Sequence, residues 1–293
     1  MTRHPLFGLA LATFGALILT PDTMFMRWSE MGGFQMMAWR GLTMGSVLLV
    51  LWMLSGAPGR SGLFTRAGGA IILCHMVNSA LFSLGIAVAP VPVVLFAVAT
   101  SPIFAAIFAW ALAGEATGRA TWVATVAVLA GIFIAILGRD TGDVGFNLGS
   151  ALGAAAGLGV AASLALTFVI LRKVRSIPIF PAIGTGSFLA GALGMLLAGG
   201  PAVMMDGQVW AIVVTGFLIL PASFLALTFA SRHTSAANVS LIMLLETVIG
   251  PIWVWAFADE PLTLPMLIGG AIVVGSLAVY LIVTGRRKVP AVI

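Results

Sequence analysis

Charge is scarce in this chain: Asp, Glu, Lys and Arg together make up 8% of its 293 residues, against 61% hydrophobic. A soluble domain carries about 25% charged residues, because its surface must be solvated. The shortage excludes a water-facing globular surface and predicts a polytopic membrane protein. Histidine is nearly missing too, with only His4, His75 and His233, and Cys74 is the single cysteine. One cysteine excludes an intrachain disulfide, and Cys74, inside an apolar run, reads as a small apolar residue. No HExxH, CxxC or paired-histidine spacing supports a metal site. No Walker loop is present, so this chain does not hydrolyse ATP, and no GxSxG elbow offers a nucleophile. Gly184-Thr185-Gly186-Ser187 has the glycines of a phosphate loop but lacks the lysine and sits in an apolar run. Neither an enzyme nor a cofactor is expected.

What is there is apolar sequence in long runs. A transmembrane helix needs about 20 apolar residues. Reading between charged and Gly/Pro punctuation gives ten segments, 5–26, 34–55, 67–88, 91–112, 119–137, 147–171, 179–199, 209–229, 236–257 and 264–284. Backbone groups have no water partner in lipid, and runs without a period of two are helices rather than barrel strands. The fold class is therefore an all-α membrane protein of ten transmembrane helices. The stretch from Pro5 to Met26 is longer than a signal-peptide core of about 7–15 residues, so an uncleaved first span is expected. Pro90-Val91-Pro92 turns the chain sharply between the third and fourth segments.

The net charge of +5 and pI near 10.7 would suit nucleic acid, but the cations gather at the ends of the runs. No nucleic acid partner is expected; the lipid bilayer is. With the N-terminus in the cytoplasm, Arg3, Arg60, Arg66, Arg119, Arg172, Lys173, Arg175, Arg232, Arg286, Arg287 and Lys288 fall inside. Only Arg27 and Arg139 fall outside, while Arg40 lies within the second span. Eleven against two is the bias that orients membrane proteins, and it puts both termini in the cytoplasm. Trp28, Trp210 and Trp255 then mark the outer interface, and Trp52, Trp110 and Trp122 the inner one.

At an offset of 145 residues Gly8 matches Gly153, Arg27 matches Arg172, Gly41 matches Gly186, Trp110 matches Trp255 and Glu115 matches Glu260. Five spans per half is odd, so the second half enters the membrane the other way up. Two inverted five-helix repeats, 1–140 and 145–288, are expected, with a substrate site near the midplane where they meet. Gly149, Gly153 and Gly157, like Gly41 and Gly45, have the spacing that lets helices approach closely.

Few polar residues interrupt the runs. Glu246 sits midway through the ninth segment with about ten residues on either side. A charge at that depth costs roughly 2.5–3.5 kcal/mol on the mildest insertion scale, so it faces a cavity, has a partner, or is protonated. His75 and Asn78, three apart, share a helix face with Ser79 and Phe82 beside them. Ser101 lies at similar depth and is the repeat counterpart of Glu246; Asn78 is the counterpart of Ser223. These groups either line a central hydrated cavity or bond between helices. Asp22, ending the first span after Pro21, and Arg40 are expected nearer the outer face. They form a gating ion pair with Trp39 as an apolar plug, or else Asp22 caps backbone freed by Pro21 while Arg40 snorkels outward.

Ten short spans in two inverted halves, Thr20-Pro21-Asp22-Thr23 at the end of the first helix and Ala113-Gly114-Glu115 at the end of the fourth, resemble the drug/metabolite transporter superfamily. Within it the chain resembles EamA-type proteins, and its start is most similar to YddG-type amino-acid exporters. In the second half Ala258-Asp259-Glu260 keeps only the acid pair of the family's loop ending. The resemblance implies a cofactor-free exporter of amino acids, aromatic ones included, or related metabolites, in a bacterial inner membrane. The expected activity is alternating access by a secondary transporter, with a channel-like facilitator and an exporter of drugs or nucleobase-type metabolites as rivals. Asn78, His75 and Ser101 would bond the solute's polar end, and Trp39 and Phe82 its apolar part. Glu246 would bind an ammonium or carry a coupling proton. Whether the chain works as a monomer or a homodimer is not written in the sequence.

Overall fold

The computed structural model describes residues 5–89, 91–137, 148–258 and 264–286, and among them every regular element is helical. The first half holds α1 (Pro5–Leu19), α2 (Asp22–Ser29), α3 (Gly33–Leu54), α4 (Arg60–Leu63), α5 (Arg66–Val88), α6 (Val91–Val98), α7 (Ser101–Ala113) and α8 (Arg119–Leu137). The second holds α9 (Leu148–Lys173), α10 (Ile179–Leu197), α11 (Pro201–Met204), α12 (Val209–Val214), α13 (Leu220–Ser231), α14 (Ala236–Met243), α15 (Leu245–Ala258) and α16 (Leu264–Arg286). Six stretches are long and apolar enough to cross a membrane: Phe7–Ser29, Gly33–Leu54, Arg66–Val88, Ala151–Lys173, Ile179–Leu197 and Val209–Ser231. Four shorter apolar helices, Ser101–Ala113, Arg119–Gly131, Ala236–Gly250 and Ala271–Tyr280, lie in the remaining expected spans. The chain is a multi-pass membrane protein.

Helix ends follow local chemistry. Thr65 Oγ1 accepts from the Gly68 N–H at 3.1 Å, and Ser235 Oγ accepts from the Asn238 N–H at 3.2 Å. Each satisfies a donor that the first turn leaves without a partner. At the start of α3 the Gln35 side-chain carbonyl accepts from the Gly32 N–H at 2.7 Å. Gly114 ends α7 with φ +66°, a conformation that costs a residue without Cβ nothing.

Four expected spans depart from an unbroken α-helix. Asp22 does not end the first helix; it begins a second one. Pro21 has no N–H to continue the ladder, Thr20 turns back to Leu17 O, and α2 restarts at once. Pro102 has the same effect between α6 and α7, where Ala99 and Thr100 break the helix. Before Pro221 the backbone widens into a π-helical turn, Thr215–Ile219, which lets α12 run into α13. Leu244 separates α14 from α15, so Glu246 sits in the first turn of a new helix rather than midway along an unbroken one.

Packing depends on absent side chains. A Cβ on Gly41 would lie 2.5 Å from Gly191 N, and one on Gly45 would lie 2.6 Å from Phe188 N, so α3 and α10 touch backbone to backbone. Gly157 brings α9 equally close to Val94 O, and Gly153 meets Ala89 Cβ. The other main pairings are α5 with α9 and α10, α8 with α16, α1 with α13, and α9 with α6 and α7; α7 also meets α14. Gly186 admits α5, since a Cβ there would lie 2.5 Å from Ile72 O and 3.0 Å from His75 Cβ. That close approach is what carries His75 into the middle of the bundle.

Candidate functional site

A pocket lies between α1, α2, α3, α5, α6, α9, α13, α14 and α15. Leu19, Met44, Phe82, Val98, Val160, Leu164, Leu220, Phe224 and Met243 form its apolar wall. Asp22, Arg40, His75, Asn78, Ser79 and Glu246 supply its polar groups. Elements from both ends of the sequence are needed to build it: helix α5 brings three of the polar groups, and α2, α3 and α15 bring one each.

Asp22 and Arg40 meet directly. The guanidinium donates from Nη1 to Asp22 Oδ1 at 2.8 Å, and both side chains are buried. On its other side Arg40 Cζ lies 5.5 Å from the Phe82 ring centroid, within cation–π range. The break at Pro21 makes this possible, because α2 starts with its acid turned toward α3. Both residues line the same pocket as Glu246, His75 and Asn78.

His75, Asn78 and Glu246 are 2%, 6% and 7% exposed, and none has a hydrogen bond or ion pair among the described residues. Buried polar groups are ordinarily bonded, and a missing partner costs roughly 1–3 kcal/mol. His75 and Asn78 from α5 and Glu246 from α15 line one pocket. His75 is held by shape instead, its ring edge-on to Phe224 at 5.0 Å between centroids.

Two expected site residues lie elsewhere. Ser101 is fully buried and does not line the pocket; its Oγ is sealed off without a partner. It shares its depth with Glu246, but depth along a helix leaves direction around the axis open. Trp39 donates its indole N–H to Met204 O at 2.8 Å and packs with Met26, Met31, Met36 and Ile212. The backbone carbonyl, unsatisfied beyond the short helix α11, draws the ring away from the pocket. Phe82 does line the pocket, with its ring under Arg40. His233 is half-buried: Nδ1 lies 2.8 Å from Phe229 O and Phe7 packs edge-on at 5.2 Å. The counterpart acids Asp259 and Glu260, and His4, lie outside the described residues.

Phe224, Met44 and Met243 escaped the sequence reading. The one signal for them is that Phe224 follows Ser223, the repeat counterpart of Asn78; two methionines in a chain of fourteen carry none.

Both ends of the bundle are tied by separate networks. At one end Phe25, Trp28, Trp210 and Phe257 form an aromatic cluster, with Trp28 and Trp210 centroids 6.0 Å apart. There Gln208 N also donates to Ser29 O at 2.7 Å. At the other end Arg172 Nε lies 3.0 Å from both Glu115 carboxylate oxygens, while Nη1 donates to Thr234 O at 2.6 Å. Asn238 joins Thr234 to Tyr280, and Tyr280 pairs with Thr121 at 3.2 Å.

Residues 151–283 match the EamA-like transporter family. A solved structure titled only as the crystal structure of a protein superposes on this chain with a TM-score of 0.77 at 18% identity, covering 96% of this chain and 99% of its own. At that identity the likeness is one of fold. No curated protein matches the sequence.

Proposed function

We propose that this chain is a secondary transporter that exports amino acids or related small amine-bearing metabolites by alternating access. The observation that carries the reading is the pocket in which His75, Asn78 and Glu246 lie buried, with no bond among the described residues, between largely apolar walls. A binding site that must release its cargo on either side needs polar groups that bond the solute but not each other. The match of residues 151–283 to a transporter family supports the same reading.

The halves 1–140 and 145–288 act as inverted repeats in this proposal. Exchanging equivalent helices maps the contact of α1 with α13 onto that of α9 with α5, and maps α3–α10 and α8–α16 onto themselves. The two tied ends become the two gates. The Arg172 end faces the cytoplasm of a bacterial inner membrane together with both termini, and the aromatic end faces outward. Rocking one half against the other unfastens one network while the other holds. Asn78 and His75 bond the solute's polar end, and Phe82, Phe224 and the methionines take its apolar part.

A channel-like facilitator is the second reading. Its wall would be polar along the whole path, whereas this pocket has a largely apolar wall with its polar groups on four helices. Uptake of radiolabelled amino acids and amines into proteoliposomes separates the two. A carrier saturates and shows counterflow; flux rising linearly with concentration and no counterflow would establish the channel.

A further inference from the structure

At the Arg172 end of the bundle the arginines are fixed in place without being neutralised. Three of them tie the end of α9 and the connection after it (174–178) to the turn after α13 (232–235). Arg172 Nη1 donates to Thr234 O at 2.6 Å, Arg175 Nη2 donates to Arg232 O at 3.2 Å, and Arg232 Nη2 donates to Ile177 O. Lys173 Nζ likewise donates to Leu112 O. Each acceptor is a backbone carbonyl, which positions a cation but brings no charge to cancel it. Glu115 is the one carboxylate these four residues meet among the described residues, and Arg172 takes it with Nε, 3.0 Å from both oxygens. Lys173, Arg175 and Arg232 are left without a counter-charge, and the two arginines lie against each other.

Like charges at that spacing repel. Burial and the neighbouring Arg175 charge both push the Arg232 guanidinium below its ordinary pKa. Arg232 is half-buried, and its Nε has no acceptor among the described residues. A buried donor without an acceptor is costly. Each guanidinium carries five N–H groups, and each of these two spends one of them on a described residue. Geometry and charge both leave room for an anion.

The depth of the pair selects the kind of anion. Glu115 lies between α7 and α8, and Trp110 in the last turn of α7 and Trp122 in the first turn of α8 are both exposed. Exposed tryptophans mark the headgroup level of a bilayer. Phe7, also exposed, packs on the ring of His233 next to Arg232 and offers an apolar flank to an acyl chain.

We propose that Arg175 and Arg232 hold the phosphodiester of a phospholipid of net negative charge, which supplies the counter-charge that their carbonyl partners lack. Two planar forks from two connections suit the oxygens of a phosphodiester, and a headgroup with no cation of its own completes the neutralisation. The bound lipid clasps the connection after α9 to the turn after α13, beside the Arg172–Glu115 pair. None of these residues lines the central pocket, so the site is independent of the transporter reading.

Thermal unfolding of the full-length protein in detergent tests the site. It is titrated with phosphatidylglycerol, with phosphatidylcholine of the same acyl chains, and with inorganic phosphate. Phosphatidylglycerol should raise Tm saturably, and phosphatidylcholine should need at least about tenfold more for the same rise. Arg175 is exposed and makes one bond, so Arg175→Gln should fold; it should weaken phosphatidylglycerol about tenfold or more, and Arg175→Lys should recover part of the loss. Arg60→Gln should leave the titration unchanged. Arg60 is an exposed cation at the same end, 5.9 Å from the Trp52 ring, on the helix α4 that packs against Pro178. Inorganic phosphate that protects the wild type but not Arg175→Gln would keep the anion site and move its source from bilayer to solution. Equal action of the two lipids, or an equal loss in Arg60→Gln, would mean diffuse surface attraction and overturn the inference. A phosphatidylglycerol titration that neither Arg175→Gln nor Arg232→Gln shifts would overturn it too. Counterflow is a separate readout, so the transporter reading stands or falls on its own.

Discussion

Arg40 Nη1 donates to Asp22 Oδ1 at 2.8 Å across the junction of a broken first helix and α3, and both residues line the central pocket. The bond joins α3 to a segment that exists as a separate helix only because Pro21 interrupts the ladder. A pair so placed is both a structural tie and part of the site's charge balance.

Asp22→Asn alone leaves a buried guanidinium without its counter-charge, and breaking such a pair costs about 3–5 kcal/mol. The single variant should therefore lose most of its thermal stability in detergent. Adding Arg40→Met removes the orphaned charge and should recover much of the loss. Thermal unfolding of the two variants checks this; a double variant no more stable than the single one would remove the pair from the energetics.

Asn78→Ala and His75→Ala should reduce transport by tenfold or more with little loss of folded protein. Their side chains bond nothing among the described residues, so their removal leaves no described group unsatisfied. Size-exclusion profiles and counterflow rates on the same preparations provide the check. Transport at the wild-type rate in Asn78→Ala would show that the α5 face does not hold the solute.

Gly41→Leu and Gly153→Leu should instead lower the yield of folded protein. At Gly41 even a Cβ would meet Gly191 N at 2.5 Å, and overpacking of this kind costs about 1–3 kcal/mol or more. Ala at Gly69, where nothing lies within 4 Å of an added Cβ, should be tolerated. Equal yields for all three would mean that the helix contacts are not limiting.

Reporter fusions after Arg66, Arg119, Arg175 and Arg232 should report the cytoplasm, and fusions after Asp140 and Asp206 the outside. Eleven Lys and Arg residues on one side against two on the other set this expectation. A cytoplasmic signal at Asp206 would reverse the assignment of the two tied ends and break the inverted repeat.

Much of this protein was decided by sequence alone. Scarce charge and long apolar runs determine a multi-pass helical membrane protein, because lipid leaves the backbone no partner but itself. Several helix limits follow closely: α8 spans Arg119–Leu137 where 119–137 was expected, and α5 spans Arg66–Val88 against 67–88. The expense of polar groups in an apolar run singled out Glu246, His75 and Asn78 as well. Hydropathy gives depth, however, and these helices are apolar all round, so nothing in the sequence says which way a side chain points. Only the tertiary structure turned Trp39 to the carbonyl of Met204, sealed Ser101 away, and brought Phe224 against His75. The breaks at Pro21 and Leu244 start new helical segments there. Asp22 and Glu246, 224 residues apart in sequence, reach one pocket from the first turn of a helix that follows such a break.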